Sequence, residues 1–202
     1  LLHTDHHRLV CTSEILLKTL HDSLRARDLP GMADVDSSLL YFCSLVQKEH
    51  TVALCGECAD EIFGGYPWFH KEEALLARVF PWSPDIHRRA SLLRPEVAEV
   101  LGLPEYVAAR YEETVREVPS LPGESMTETR RREMSYLNLR WFMATLLERK
   151  DRCSMACGLE VRVPYADHRI IELIYNTPWD YKCHGGVRKS LLRDAAKGLL
   201  PE

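Results

Sequence analysis

Several features that would each fix a function class are missing from this sequence. No apolar run approaches the ~18 residues that a membrane-crossing helix needs. There is no basic excess: 26 Lys and Arg stand against 30 Asp and Glu, a net charge of −4. Proteins that bind the phosphate backbone of nucleic acids usually carry the opposite balance. Nucleic acid and membrane are therefore not expected as partners. A Walker-type phosphate loop and a serine-hydrolase elbow are also lacking, as are internal repeats, low-complexity stretches and a visible signal peptide. The nine histidines show no ligand-spaced pattern.

Cysteine is present without a disulfide pattern. Cys11, Cys43, Cys55, Cys58, Cys153, Cys157 and Cys183 make an odd, scattered set, and several sit inside apolar runs where a thiol behaves as a small hydrophobe. A reducing cytoplasm is the expected location. With 202 residues, 46% hydrophobic and 28% charged, the chain has the material for a single soluble domain, or most of one, with a proper core.

The apolar periodicity is mostly helical. Residues 13–27 predict an amphipathic helix with Leu16, Leu17, Leu20 and Leu24 on one face, ended by Asp28-Leu29-Pro30-Gly31. A second helix, capped by Asp36 or Ser37, is expected to run to Glu49. The Ser125-x-x-Glu128 capping box opens a long helix to about Lys150, its buried stripe traced by Met134, Leu137, Trp141 and Thr145. Asp167 is positioned to cap a helix that stops near Pro178, and a last helix is expected from about Val187. Between these, Thr51-Val52-Ala53-Leu54-Cys55 changes the period. This short apolar run predicts a strand buried on both faces, as in a parallel sheet flanked by helices. The rest of that sheet is expected to come from chain outside residues 1–202.

The stretch after this strand, Cys55-Gly56-Glu57-Cys58-Ala59-Asp60-Glu61-Ile62-Phe63-Gly64-Gly65-Tyr66, sets three carboxylates beyond its carboxyl end, where ligands bind in open α/β sheets. Carboxylates there suit Mg²⁺ bridged to substrate phosphates. Acidic residues also favour any helix N-terminus, so a solvated helix start is the competing reading. Glu160 and Arg162, two apart in extended chain, can hold a zwitterion or simply pair with each other. Arg149, Lys150 and Arg152, with Arg188, Lys189 and Arg193, can complement helix ends or stabilise departing pyrophosphate. Cys55-x2-Cys58 with Cys153-x3-Cys157 admits a zinc module with no catalysis, although Cys55 ends the predicted strand.

Residues 55–69, CGECADEIFGGYPWF, closely resemble the S-G-E-x-[AS]-D-E-[IV]-F-G-G-Y signature of asparagine synthetases. DLPGMADVDSSLL (28–40), LLERKDRCSMACGLEVRVPYADHR (146–169) and VRKSLLRDAAKGLLP (187–201) are similar to three further segments of that family, in order. The resemblance implies a helix-dominated part of an α/β, adenine-nucleotide α-hydrolase-like (ATP-pyrophosphatase) synthetase domain with an incomplete parallel sheet, covering 1–202 as one partial domain. It implies asparagine biosynthesis: ATP activates aspartate as β-aspartyl-adenylate, and ammonia freed from glutamine in a separate N-terminal domain attacks it. Leu54, Cys55, Gly56 and Asp60 would then line the nucleotide site, Asp60 linked to Mg²⁺ and pyrophosphate. Glu57 would assist ammonia attack, and Arg149 and Lys189 would stand around the phosphates and intermediate. A homodimer is a candidate assembly.

The departures from the family pattern define the remaining expectations. Cys55 replaces the usual serine, a weaker donor of larger size. The glutaminase domain, the S-G-G-x-D-S pyrophosphate loop and the R-x-K segment lie outside residues 1–202, so this stretch alone is expected to show negligible synthetase activity. A β-lactam- or macrolactam-forming synthetase shares the fold and acidic motif and is the alternative enzyme.

Overall fold

Where apolar residues recur at three- and four-residue spacing, the computed structural model, which describes residues 4–200, is helical. In chain order the helices begin with α1 (Ser13–Arg27), α2 (Ala33–Val46), α3 (Ala59–Phe63), α4 (Glu72–Leu76), α5 (Ile86–Ala90) and α6 (Pro95–Leu101). They continue with α7 (Leu103–Arg116), α8 (Met126–Leu137), α9 (Ala144–Met155), α10 (His168–Asn176), α11 (Trp179–Lys182) and α12 (Ser190–Ala195). Strands β1 (Val52–Leu54) and β2 (Glu160–Arg162) pair in parallel, Val52 opposite Glu160 and Leu54 opposite Arg162. The fold is therefore helix-dominated with a small parallel sheet, in keeping with an α/β class. No helix among the described residues is long and apolar enough to cross a membrane.

The chain divides into two compact units. One holds the described residues up to Cys58, Met143–Ile171 and those from Asp194 onward; the other holds Ala59–Phe142 and Glu172–Arg193.

In the first unit, α1 has the predicted bounds because both ends are chemically marked. Thr12 Oγ1 accepts from Ile15 N, and Asp28 ends the helix in the left-handed region at φ 61°. Its inward face is smaller and more polar than the leucine spacing suggests. Ser23 is buried, with its Oγ 3.3 Å from Ser37 Oγ, whereas Leu17 and Leu24 are exposed. Small side chains let α1 and α2 approach closely, and an Arg27–Asp36 ion pair at 3.1 Å closes the contact. Helix α2 starts at Ala33 and ends at Val46, so Asp36 and Ser37 are not its caps. Both are buried within it, facing α1, because Asp36 is needed by Arg27. Strand β1 departs from its expected burial: Val52 and Leu54 are 41% and 76% exposed. Among the described residues β1 has only β2 beside it, and alternate side chains point to opposite faces, so one face is left uncovered.

In the second unit, the predicted capping box is present in full. Ser125 N donates to Glu128 Oε2 at 3.0 Å, and Glu128 N donates to Ser125 Oγ at 3.2 Å. Met134 and Leu137 are fully buried as expected, but Trp141 and Thr145 are exposed. The cause is a π-helical segment, Asn138–Met143, which turns the inward face away from the α-helical phase and buries Asn138 and Met143 instead. Phe80, Tyr111 and Leu137 form the core of this unit, and Arg130, itself buried, donates to the Leu75 and Ala77 carbonyls at the end of α4. The last helix begins at Ser190 rather than near Val187, because Lys189 takes φ 56° and cannot continue a right-handed turn.

Candidate functional site

The first set of site residues follows β1. Cys55 N donates to Arg162 O at 2.9 Å, so the parallel pairing runs one residue past the strand before the chain turns away. Leu54 points to solvent, Cys55 is half-buried, and a Cβ built on Gly56 would meet nothing within 4 Å. The backbone at Gly56 is thus open to an approaching group.

Glu57 then meets α9. Its Oε1 lies 3.0 Å from Lys150 Nζ and 4.0 Å from Arg149 Nη2, and all three side chains are mostly buried. Its Oε2 is buried and has no hydrogen-bond partner among the described residues, and the same holds for Arg149 Nε. A cavity of about 480 Å³ opens here, lined by Glu57 and Arg149 with His6, His7, Arg8, Ser38 and Phe42 among others. That is the size of a small-molecule site. The arrangement leaves one carboxylate oxygen fixed by cations and the other available to accept a hydrogen bond, in a predominantly basic surround.

Cys58 follows, fully buried at φ 72°. A non-glycine residue in the left-handed region costs about 1–2 kcal/mol, a strain that tends to persist where a turn must aim functional side chains.

The second set lies in the other unit, on α3 and before α12. Asp60 Oδ1 is 2.8 Å from Lys189 Nζ, with the two side chains 41% and 28% exposed. Lys189 stands just before α12 in the left-handed conformation, its carbonyl accepting from Arg193 N. Gly65 is required beside Asp60. Its N–H donates to Asp60 O at 2.9 Å, and an added Cβ would lie 1.7 Å from Asp60 Oδ1. Gly64, at φ 68°, abuts the Trp179 ring. His70 Nε2 lies 2.8 Å from the Gly64 carbonyl, and burial pushes its pKa below the ordinary value.

Glu61, the third carboxylate of the motif, is buried and accepts from Tyr66 Oη at 2.5 Å, which makes it a structural group. Glu160 and Arg162 pair with each other at 2.8 Å on the exposed face of β2. None of the seven cysteines forms a disulfide, and no three His, Cys, Asp or Glu side chains among the described residues gather as a metal group. Sequence reasoning placed Lys150 in a basic cluster without linking it to Glu57, and it passed over Arg8, Ser38 and Phe42. Only the fold brings these together.

The family model described as asparagine synthase matches residues 1–202. The chain belongs to the asparagine synthase family. Asparagine synthetase [glutamine-hydrolyzing] 3 of Bacillus subtilis (strain 168) is 50% identical over 199 residues, covering 98% of this chain and 32% of that protein. A second B. subtilis asparagine synthetase is 31% identical, covering 85% of this chain and 32% of its own length. The mouse asparagine synthetase is 25% identical over 98% of this chain and 27% of its own. The chain therefore spans about a third of the curated relatives it matches. All three are named as glutamine-hydrolysing asparagine synthetases, which does not favour the lactam-forming alternative within the asparagine synthase family.

Proposed function

We propose that the chain is part of the synthetase domain of an asparagine synthetase, which uses ATP to activate the side-chain carboxylate of aspartate and then transfers ammonia from glutamine to it. The two units are read as parts of one adenine-nucleotide α-hydrolase-like domain, in a cytoplasmic enzyme with a homodimer as its candidate assembly. The observation that carries the reading is Glu57, held on one oxygen by Lys150 and Arg149 and unpartnered on the other, beside a cavity of about 480 Å³.

In this proposal Glu57 Oε2 accepts a hydrogen bond from the attacking ammonia and orients its lone pair. Arg149 and Lys150 keep the carboxylate in place, and Arg149 also faces the negative charge of the phosphates. The open backbone at Gly56, with Leu54 and Cys55, lets the nucleotide approach the end of β1.

Asp60 and Lys189 are assigned to the pyrophosphate end. The residues present fit a magnesium ion shared with the substrate: Asp60 is a half-exposed hard ligand with only one oxygen on Lys189, and no cage of three protein ligands exists among the described residues. Such a site suits Mg²⁺ held by one carboxylate and by phosphate oxygens. When bound, the ion would supply neutralisation of the phosphate charge; Lys189 would supply a second positive group and hold Asp60 in register.

The test is made in the parent enzyme, following asparagine formation and aspartate-dependent pyrophosphate exchange separately. Glu57→Gln is expected to slow asparagine formation roughly 100-fold, the scale of a lost acid–base group, while exchange falls much less. Unchanged asparagine formation would remove Glu57 from the mechanism. Failure of the parent to release pyrophosphate with aspartate would sink the aspartate reading itself.

A further inference from the structure

A second cavity, sharing no lining residue with the one at Glu57, lies wholly within the second unit. It encloses about 290 Å³ between the Leu121–Glu124 turn, α8, the end of α10 and α11. Its lining includes Glu124, Glu128, Arg131, Arg132, Tyr175 and Lys182.

Two of these cations form no ion pair among the described residues. Arg132 is matched, since its Nε and Nη2 both donate to Glu124 Oε1. Arg131 instead lies over the Trp179 ring, 4.5 Å from Cζ to centroid, and its Nε is buried with no acceptor among the described residues. Lys182 is 4% exposed, lines the cavity, and forms no ion pair among the described residues. Burial and the nearby Arg132 push its amine down to about 8. The acids that face these groups are committed elsewhere. Glu124 is held by Arg132, and Glu128 caps its own helix through Ser125. Cys183, Asp180 and Glu128 act on Arg131 only at a distance. Tyr175 packs against Arg132, whose Cζ lies 5.6 Å from its ring centroid. A buried ammonium beside a half-buried guanidinium, neither in an ion pair among the described residues, is costly unless something negative completes the set. The volume beside them is enough for a small molecule and is bounded on one side by an aromatic wall.

We propose that this cavity binds the oxyanion group, carboxylate or phosphate, of a small molecule, with Lys182 and Arg131 as its counter-charges. The proposal is independent of the reaction assigned above and adds a site to it. Because burial pushes the Lys182 amine down to about 8, an arriving anion raises it again and draws a proton onto it. Anion binding is therefore coupled to proton uptake, and affinity falls as the pH rises through that value.

The experiment is isothermal calorimetry on the purified protein with inorganic phosphate and, separately, acetate. Each titration is run at pH 8 in two buffers of different ionisation enthalpy. The expected result is binding of at least one anion with fractional proton uptake. Lys182→Gln should weaken that binding by at least about tenfold and abolish the uptake, the effect of losing a charge-assisted contact. Lys182→Arg should restore part of the affinity without the uptake. Lys189→Gln, beside Asp60, should leave the Lys182-dependent isotherm in place. Phosphate binding alone identifies a phosphate-bearing ligand, and acetate binding alone a carboxylate. No binding of either anion up to about 20 mM, or binding unchanged in Lys182→Gln, overturns the proposal. Should the Lys182 variants not fold, as judged by circular dichroism, Arg131→Gln carries the same comparison with the same two outcomes.

Discussion

Asp60 and Gly65 show how far a single backbone position can govern a charged contact. A methyl group on Gly65 would collide with Asp60 Oδ1 and press on its Cα at 3.1 Å, so the carboxylate must swing off Lys189. Gly65→Ala is therefore expected to behave as an Asp60 variant, raising the magnesium concentration for half-maximal pyrophosphate release about tenfold. A magnesium titration of the parent enzyme checks it, and an unchanged midpoint would show that Asp60 is not the ligand. Two buried groups also make opposite contributions to alkaline stability. The Lys182 amine is lowered from 10.5 to about 8, so the unfolded chain binds a proton that the folded chain does not. Its contribution to stability is present above 10.5 and is lost as the pH falls through 8, by about 3 kcal/mol at most. The Cys43 thiol is raised by burial from 9.0 to about 11, so its contribution is intact below 9 and is lost as the pH rises through 11. Denaturation measured between pH 8 and 9 should then show the lysine effect without the cysteine, and Lys182→Met should remove it. The position of Glu57 and Asp60 just beyond a strand was legible in the sequence, because an apolar run followed by glycine and acid marks a strand end, whereas their roles come from the family resemblance. Their partners Lys150 and Lys189 were not paired with them, since α9 and the segment before α12 arrive far along the chain and only packing matches them.

Elements were legible where their ends carry local chemistry. Thr12 and Asp28 mark α1, and Ser125 with Glu128 marks α8, because a side chain satisfies an orphan backbone donor or the chain takes a left-handed turn. Ser125→Ala is expected to cost about 1 kcal/mol of stability, read from the midpoint of urea denaturation; no shift would mean that the box is ornamental. The parallel pairing of β1 with β2 was foreseen only in part, since Glu160–Arg162 reads as extended chain but has no apolar alternation to mark it as a strand. Helix α2 starts four or five residues earlier than the expected cap would place it, because Asp36 looks like a cap until Arg27 is seen to claim it. The buried stripe after Leu137 was misphased for a different reason. The Asn138–Met143 segment changes the period, and no residue type there announces a π turn in advance.

For the whole molecule, composition correctly indicated a real core and apolar periodicity a helix-rich chain, but neither indicated the division into two compact units. That division depends on long-range packing, which a one-dimensional pattern does not encode. The uncovered face of β1 has a consequence for the isolated 202-residue chain. Val52 and Leu54 present an apolar strand face with unpaired neighbours, so concentration-dependent association is expected in light scattering. Val52→Lys should reduce it, and a strictly monomeric chain at all concentrations would contradict the expectation.

The two units are also interleaved along the chain: the polypeptide passes from one to the other after residues 58, 142, 171 and 193. Neither can be finished on a ribosome before the other is nearly complete. The first waits for β2, whose pairing with β1 spans more than a hundred residues of sequence. The second waits for Lys189, which follows Asp60 by more than a hundred residues. Vectorial, domain-by-domain folding during synthesis is thus closed to this sequence, and the newborn chain must stay soluble with most of its core unpaired. A premature stop anywhere between α3 and α12 would leave not one sound half but two unsound ones.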